Sequence, residues 1–180
     1  MKPHLFLTGP IGCGKSTAIQ RALGKKLPFC GGFLTRRYRE PYLHFTLESP
    51  DGSRKETFLD FSHGKPRLNS AVFATLGPEL LQGEILLLDE IGGVELLCPE
   101  FITGLETVLE SDIPILGVIK GKSPASALIQ TLGLGRKYDK ALARLRDRLG
   151  NNENTLLYEC SQFDEQALYL AENWVKEYCP

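Results

Sequence analysis

The stretch Gly9-Pro10-Ile11-Gly12-Cys13-Gly14-Lys15-Ser16 limits the folds open to this chain more than any other. It satisfies the spacing G-x-x-x-x-G-K-[ST], the Walker A or phosphate-loop pattern. A short apolar run, Leu5-Phe6-Leu7, precedes it, and a segment of helical character, Ser16 to Leu23, follows. Strand, glycine-rich turn and helix in that order make an anion cradle. Glycines let the backbone turn tightly, so that successive N–H groups face one point. The helix adds the positive end of its dipole there. The candidate nucleotide-binding residues are therefore Gly9, Pro10, Ile11, Gly12, Cys13, Gly14, Lys15, Ser16 and Thr17. In such a cradle Lys15 reaches the β- and γ-phosphates, and the Ser16 hydroxyl ligates magnesium.

A second signal lies at Glu84-Ile85-Leu86-Leu87-Leu88-Asp89-Glu90. An unbroken apolar run ending in two acids reads as a central parallel strand with carboxylates at its C-terminal edge. Ligands of open α/β sheets bind at that edge. Beside a phosphate loop this is a Walker B strand, with Asp89 orienting the magnesium shell and Glu90 activating an attacking water. The bland alternative for Glu90 is a helix-start acid that complements a dipole.

The remaining pattern completes an α/β fold, a mostly parallel sheet flanked by helices. Strands are predicted at about His4–Thr8, Phe29–Thr35, Ile113–Ile119 and Thr155–Cys160, with helices at Ala71–Leu81, Val94–Glu110, Ser123–Leu132, Tyr138–Leu149 and Phe163–Tyr178. Ser70 and Ser161 are candidate caps, and Pro78 is expected to kink or divide its helix. Two alternating runs, Tyr42–Leu47 and Glu56–Phe61, flank the turn signal Pro50-Asp51-Gly52-Ser53 and predict an inserted β-hairpin over or beside the loop. Arg36, Arg37 and Arg39 cluster just before it. The functional reading is an arginine that neutralises transferring phosphate charge, with Arg39 preferred; the other is a solvated strand end. Lys120 and Lys122 stay open between a phosphate or base contact and a solvated loop. Arg144 and Arg148 lie on a basic helix best read as a solvated face.

Composition excludes several classes. Of the 180 residues, 42% are hydrophobic and 24% charged, which is ordinarily globular and suits one domain over 1–180. The net charge of −1 gives no electrostatic footprint for nucleic acid. No apolar run approaches the ~20 residues of a membrane helix. The first strand starts too early to leave room for a signal peptide. The five cysteines are scattered without zinc spacing, which reads as free thiols in a reducing, cytoplasmic setting.

Taken together, these residues resemble the small single-domain P-loop nucleoside-triphosphatases that include thermophile enzymes and a human cancer-related NTPase. The resemblance rests on Gly9 to Thr17, on Gly32-Phe33-Leu34-Thr35 with Arg39 four residues on, and on Asp89-Glu90-Ile91-Gly92 continuing to Glu95-Leu96 and Phe101. It implies a RecA-like fold and a hydrolase of ATP, GTP and other nucleoside triphosphates, using Mg2+ and turning over slowly. Under that reading Lys15, Glu90 and Arg39 are catalytic, and Ser16 and Asp89 hold the metal. Two rivals remain at the level of sequence. One is a nucleotide or small-molecule kinase; the other is a nucleotide-gated binding protein without turnover. The protein partner is unknown.

Overall fold

Alternation along the central strands decides which face each helix covers. Phe6, Leu86, Leu88, Ile115 and Ile119 point to one side and join the larger apolar cluster, whereas Leu5, Leu7, Leu87, Leu116 and Val118 point to the other and join the smaller one. A strand buried on both faces needs apolar residues throughout, and these runs supply them. The computed structural model describes residues 1–121, 129–130, 132–162 and 164–179.

Among the described residues, eight strands form one sheet: β1 (His4–Thr8), β2 (Gly31–Tyr38), β3 (His44–Glu48), β4 (Lys55–Asp60), β5 (Arg67–Leu68), β6 (Leu86–Ile91), β7 (Ile115–Ile119) and β8 (Thr155–Glu159). Their order is β5-β4-β3-β2-β6-β7-β1-β8. The five strands from β2 to β8 in that order pair in parallel, and β3, β4 and β5 extend the β2 edge in antiparallel fashion. The helices are α1 (Lys15–Leu23), α2 (Ala71–Leu80), α3 (Pro99–Leu109), α4 (Gly135–Asn151) and α5 (Glu165–Tyr178). Ile19 and Leu23 of α1 and Trp174 of α5 fill the smaller cluster. Phe73 of α2, Phe101 of α3 and Leu145 of α4 fill the larger one.

Several local expectations change. Pro78 sits inside α2 without dividing it, because the Leu81 N–H still reaches the Gly77 carbonyl at 3.1 Å. Ser70 stands at the N-terminus of α2 but makes no side-chain cap bond. The cap of α5 is Asp164 rather than Ser161: Asp164 Oδ1 accepts from the Ala167 N–H at 3.1 Å, and Oδ2 takes the Ser161 N–H. Val94–Leu97 is a 3-10 turn, and α3 starts at Pro99, where a missing N–H costs nothing. Residues 44–48 and 55–60 pair as a hairpin that is continuous with the sheet. Most of the predicted helix Ser123–Leu132, with Lys122, lies outside the described residues.

The topology fixes the site. β7 lies between β6 and β1, so the C-terminal ends of these three strands bring together Asp89-Glu90, Lys120 and the loop that begins at Gly9.

Candidate active site at the C-terminal edge of the sheet

The loop from Gly9 to Gly14 leaves β1 and closes on α1. At Gly9 φ is +128°, and a Cβ there would lie 2.5 Å from the Cys160 carbonyl oxygen, so this position excludes side chains twice over. Lys15 folds back across the loop. Its ammonium donates to the carbonyls of Gly9 at 3.0 Å and Pro10 at 2.7 Å and lies 3.6 Å from Cys13 Sγ. The side chain is buried in its own loop. Ile11 stands at the rim, 97% exposed, and Thr17 points outward from α1.

The loop and the acidic strand meet directly. Ser16 Oγ donates to Asp89 Oδ1 at 2.7 Å, and Gln20 Nε2 donates to Asp89 Oδ2 at 3.0 Å. Gln20 is held in turn by Arg36, whose guanidinium donates to its Oε1 at 3.3 Å. Burial pushes the Asp89 carboxyl above its usual range; the Ser16 and Gln20 hydrogen bonds and the charges of Arg36 and Lys15 pull the other way. The donor set of one hydroxyl and one carboxylate oxygen suits a hard cation such as Mg2+, which completes its shell with phosphate oxygens and water.

Glu90 follows on β6, where the register with β7 slips between Asp89 and Ile91. A bulge of this kind re-aims a side chain at a sheet edge. Burial raises the Glu90 carboxyl, opposed first by Lys120 and then by Lys15. Behind it, Glu95 is buried, and its Oε1 accepts the N–H groups of Gly92 and Gly93, both at 2.7 Å. Tyr138 closes the turn by donating from its hydroxyl to the Gly92 carbonyl at 2.7 Å. Burial, with Glu95 and Glu90 nearby, pushes that phenol up to about 12.

The arginines separate. Leu34 pairs with Asp89, which places Arg36 two residues past the carboxylate row. Arg39 stands five residues past it, about 16 Å along at the rise of a strand. It is exposed on the connection to β3 and, among the described residues, makes no hydrogen bond or ion pair. Of the basic residues on α4, Arg148 pairs with Glu106 at 2.6 Å and with Glu110. Arg146 departs from a solvated face: it donates to Thr8 Oγ1 at 3.0 Å and to the Lys120 carbonyl at 2.6 Å. Sequence reasoning missed Gln20, Arg146 and Tyr138. Gln20 had a readable signal, since Ser16 and Gln20 are four apart on one helix face.

A phosphate loop whose helix hydrogen-bonds a carboxylate at the end of β6, one strand removed from β1 in the parallel sheet, defines a P-loop α/β protein of the nucleotide-binding class. Residues 4–149 match the family model described as NTPase, and the chain belongs to this NTPase family. It is 30% identical over 131 residues to the nucleoside-triphosphatase THEP1 of Thermotoga petrophila, covering 66% of this chain and 73% of that protein. It is also 30% identical over 151 residues to a cancer-related nucleoside-triphosphatase homolog of Mus musculus, covering 68% and 79%. The crystal structure of THEP1 from the hyperthermophile Aquifex aeolicus superposes with a TM-score of 0.68 at 16% identity, over 97% of this chain and 98% of that one. The solution structure of a human cancer-related nucleoside triphosphatase gives a TM-score of 0.61 at 20% identity, over 96% and 95%. At these identities the two structures are likenesses of fold.

Proposed function

We propose that this chain hydrolyses nucleoside triphosphates, ATP and GTP among them, to the diphosphate and inorganic phosphate, with Mg2+ as cofactor, breadth over the base and slow turnover. The observation that carries this reading is the 2.7 Å contact of Ser16 with Asp89, which joins the loop to the acidic strand with Glu90 one residue on. The names of the relatives, nucleoside-triphosphatases rather than enzymes of one base, support the breadth. Five buried, unpaired thiols suit the cytoplasm. Among the described residues no helix is long and apolar enough to cross a membrane.

The backbone N–H groups of the loop from Gly9 to Thr17 and the Lys15 ammonium hold the phosphates. Ser16 and Asp89 would hold Mg2+, directly or through water, and the ion would supply neutralisation of phosphate charge. Glu90 orients a water toward the γ-phosphorus and takes its proton. The new bond joins the water oxygen to phosphorus; the bond to the bridging oxygen breaks, and its electron pair leaves with the diphosphate. Arg39, the first residue after β2, is assigned to meet the developing charge.

The test is steady-state phosphate release from ATP, GTP, CTP and UTP with magnesium, beside Lys15→Ala and Glu90→Gln. Slow turnover of several triphosphates, reduced about 10²-fold or more by either change, supports the reading. Diphosphate formation that requires an added acceptor moves the assignment to a kinase. Binding with no phosphate released by the unaltered chain overturns the hydrolase.

A further inference from the structure

Lys120 directly follows the last residue of β7, the strand between β1, which leads into the phosphate loop, and the acidic strand β6. Its surroundings are built closely. The Lys120 N–H donates to the Ile91 carbonyl at 2.9 Å. A Cβ on Gly92 would stand 3.2 Å from Lys120 Cβ, and one on the next residue, Gly121, 3.0 Å from the Gly9 carbonyl oxygen. The Lys120 carbonyl accepts from Arg146, which also bonds Thr8, the last residue of β1. The backbone at Lys120 is therefore pinned to both neighbours, with glycine wherever a side chain would push it away.

The ammonium has its own space. A Cβ on Gly93 would fall 3.3 Å from Lys120 Nζ and 2.6 Å from Glu95 Oε2, so the bare backbone at Gly93 leaves room for the end of the lysine and the carboxylate to flank one point. Gly93 has φ −103°, so the requirement there is for space and not for left-handed backbone. The lysine charge is felt by both carboxyls at this edge, Glu90 and Glu95. Glu95 is anchored by the Gly92 and Gly93 amides and stands behind the lysine as a fixed neighbour.

We propose that Lys120 is a second catalytic lysine, donating hydrogen bonds to the γ-phosphoryl oxygens as charge develops there, and that Glu95 is the residue that positions it. The inference rests on the hydrolase reading above. A cation beside the Gly92-Gly93 turn that follows Glu90 acts on the transferring group and not on the part of the nucleotide that Lys15 already grips. Its contribution therefore falls on kcat.

The experiment is phosphate release and equilibrium nucleotide binding by the full chain and by Lys120→Ala, Lys120→Arg, Glu95→Gln and Gly93→Ala. For Lys120→Ala the expected result is kcat lower by about 10²-fold with KM and the nucleotide Kd within twofold, as for loss of one transition-state donor. Lys120→Arg recovers part of the rate, and millimolar methylammonium added to Lys120→Ala recovers part of it. Gly93→Ala and Glu95→Gln lower kcat by about 10-fold, the scale of a misplaced group. Unchanged kcat in Lys120→Ala overturns the proposal, as does a loss that neither arginine nor the added amine relieves. A rise in KM and Kd with kcat intact also overturns it. Should the unaltered chain release no phosphate, the hydrolase reading itself falls and this inference with it; turnover by the unaltered chain that is indifferent to Lys120 sinks this inference alone.

Discussion

The Ser16 hydroxyl donates to Asp89 Oδ1 at 2.7 Å across 73 residues of chain, which ties the first helix to the central acidic strand. The same two oxygens are the proposed metal donors, so the hydrogen bond already brings together the protein groups that would hold the cation. Asp89→Asn keeps the shape and removes the charge. It is expected to lower kcat by about 10²-fold and to raise the magnesium concentration for half-maximal rate at least as much as it changes nucleotide Kd. A magnesium titration of phosphate release beside nucleotide binding in chelator separates the two. An unaltered magnesium requirement in Asp89→Asn removes Asp89 from the metal shell.

Gln20 bonds Asp89 Oδ2 and is itself held by Arg36. Loss of the amide frees one carboxylate oxygen to rotate. Gln20→Ala is therefore expected to cost about 10-fold in kcat through misplacement of Asp89, with the magnesium requirement raised in parallel. Stability measured by urea denaturation should move by only about 1 kcal/mol, the value of one hydrogen bond. Full activity in Gln20→Ala would show that Ser16 alone fixes the carboxylate.

Arg39 is exposed and, among the described residues, unpaired, so truncation removes little native packing. Arg39→Ala is expected to leave the melting temperature within a degree or two and to lower kcat by about 10²-fold or more, as for an arginine that meets transferring charge. Arg36→Ala acts through Gln20 and is expected to be milder. A rate for Arg39→Ala equal to that of the unaltered chain, with Arg36→Ala slower, would transfer the role to the arginine that already reaches the carboxylate network.

Much of this site was legible in the chain because its parts announce themselves locally. A glycine-rich loop needs its glycines and lysine within eight residues, and Leu86-Leu87-Leu88 before Asp89 reads as a strand buried on both faces. Gln20 was legible in principle from its spacing to Ser16. Arg146 was not. Its guanidinium crosses to Thr8 and to the Lys120 carbonyl, a contact that depends on how α4 packs on the sheet, and in sequence it is one of several basic residues on a helix. Asp164 displaced Ser161 as the cap of α5 because a carboxylate satisfies both the Ser161 and Ala167 N–H groups, and Asp164 was not singled out as a cap in the sequence.

Gly32 links β2 to the acidic strand at close quarters. Its φ is +92°, and a Cβ there would lie 1.9 Å from the Leu87 carbonyl oxygen. Gly32→Ala must therefore part β2 from β6 as well as strain its own backbone. The expected loss is about 3–5 kcal/mol by urea denaturation, at the upper end for single substitutions. Gly52→Ala, also at positive φ but with nothing within 4 Å of the added methyl, supplies the strain-only control, expected to cost about 1–2 kcal/mol. Equal losses in the two would mean that the sheet accommodates the clash.

Glu95 gives the fold a pH dependence of unusual sign. Burial raises its carboxyl above the ordinary value, against the pull of the Lys120 charge and the Gly92 and Gly93 amides; among the described residues Glu90 and the Tyr138 phenol also interact with it. In the unfolded chain a glutamate releases its proton near 4.3. From there up to the raised native value, the folded chain binds the proton that the unfolded chain has lost. Stability therefore falls as pH rises through that window, the reverse of a salt-bridged carboxylate. Glu95→Gln removes the titration. Loss of the lysine's partner changes the offset between variant and parent, but the slope is the readout. Denaturation at a series of pH values from 4.5 to 8 is expected to show the variant gaining on the parent as pH rises, then a constant difference once the native carboxyl has ionised. A difference independent of pH over the whole range would mean that Glu95 ionises in the folded chain as readily as in the unfolded one.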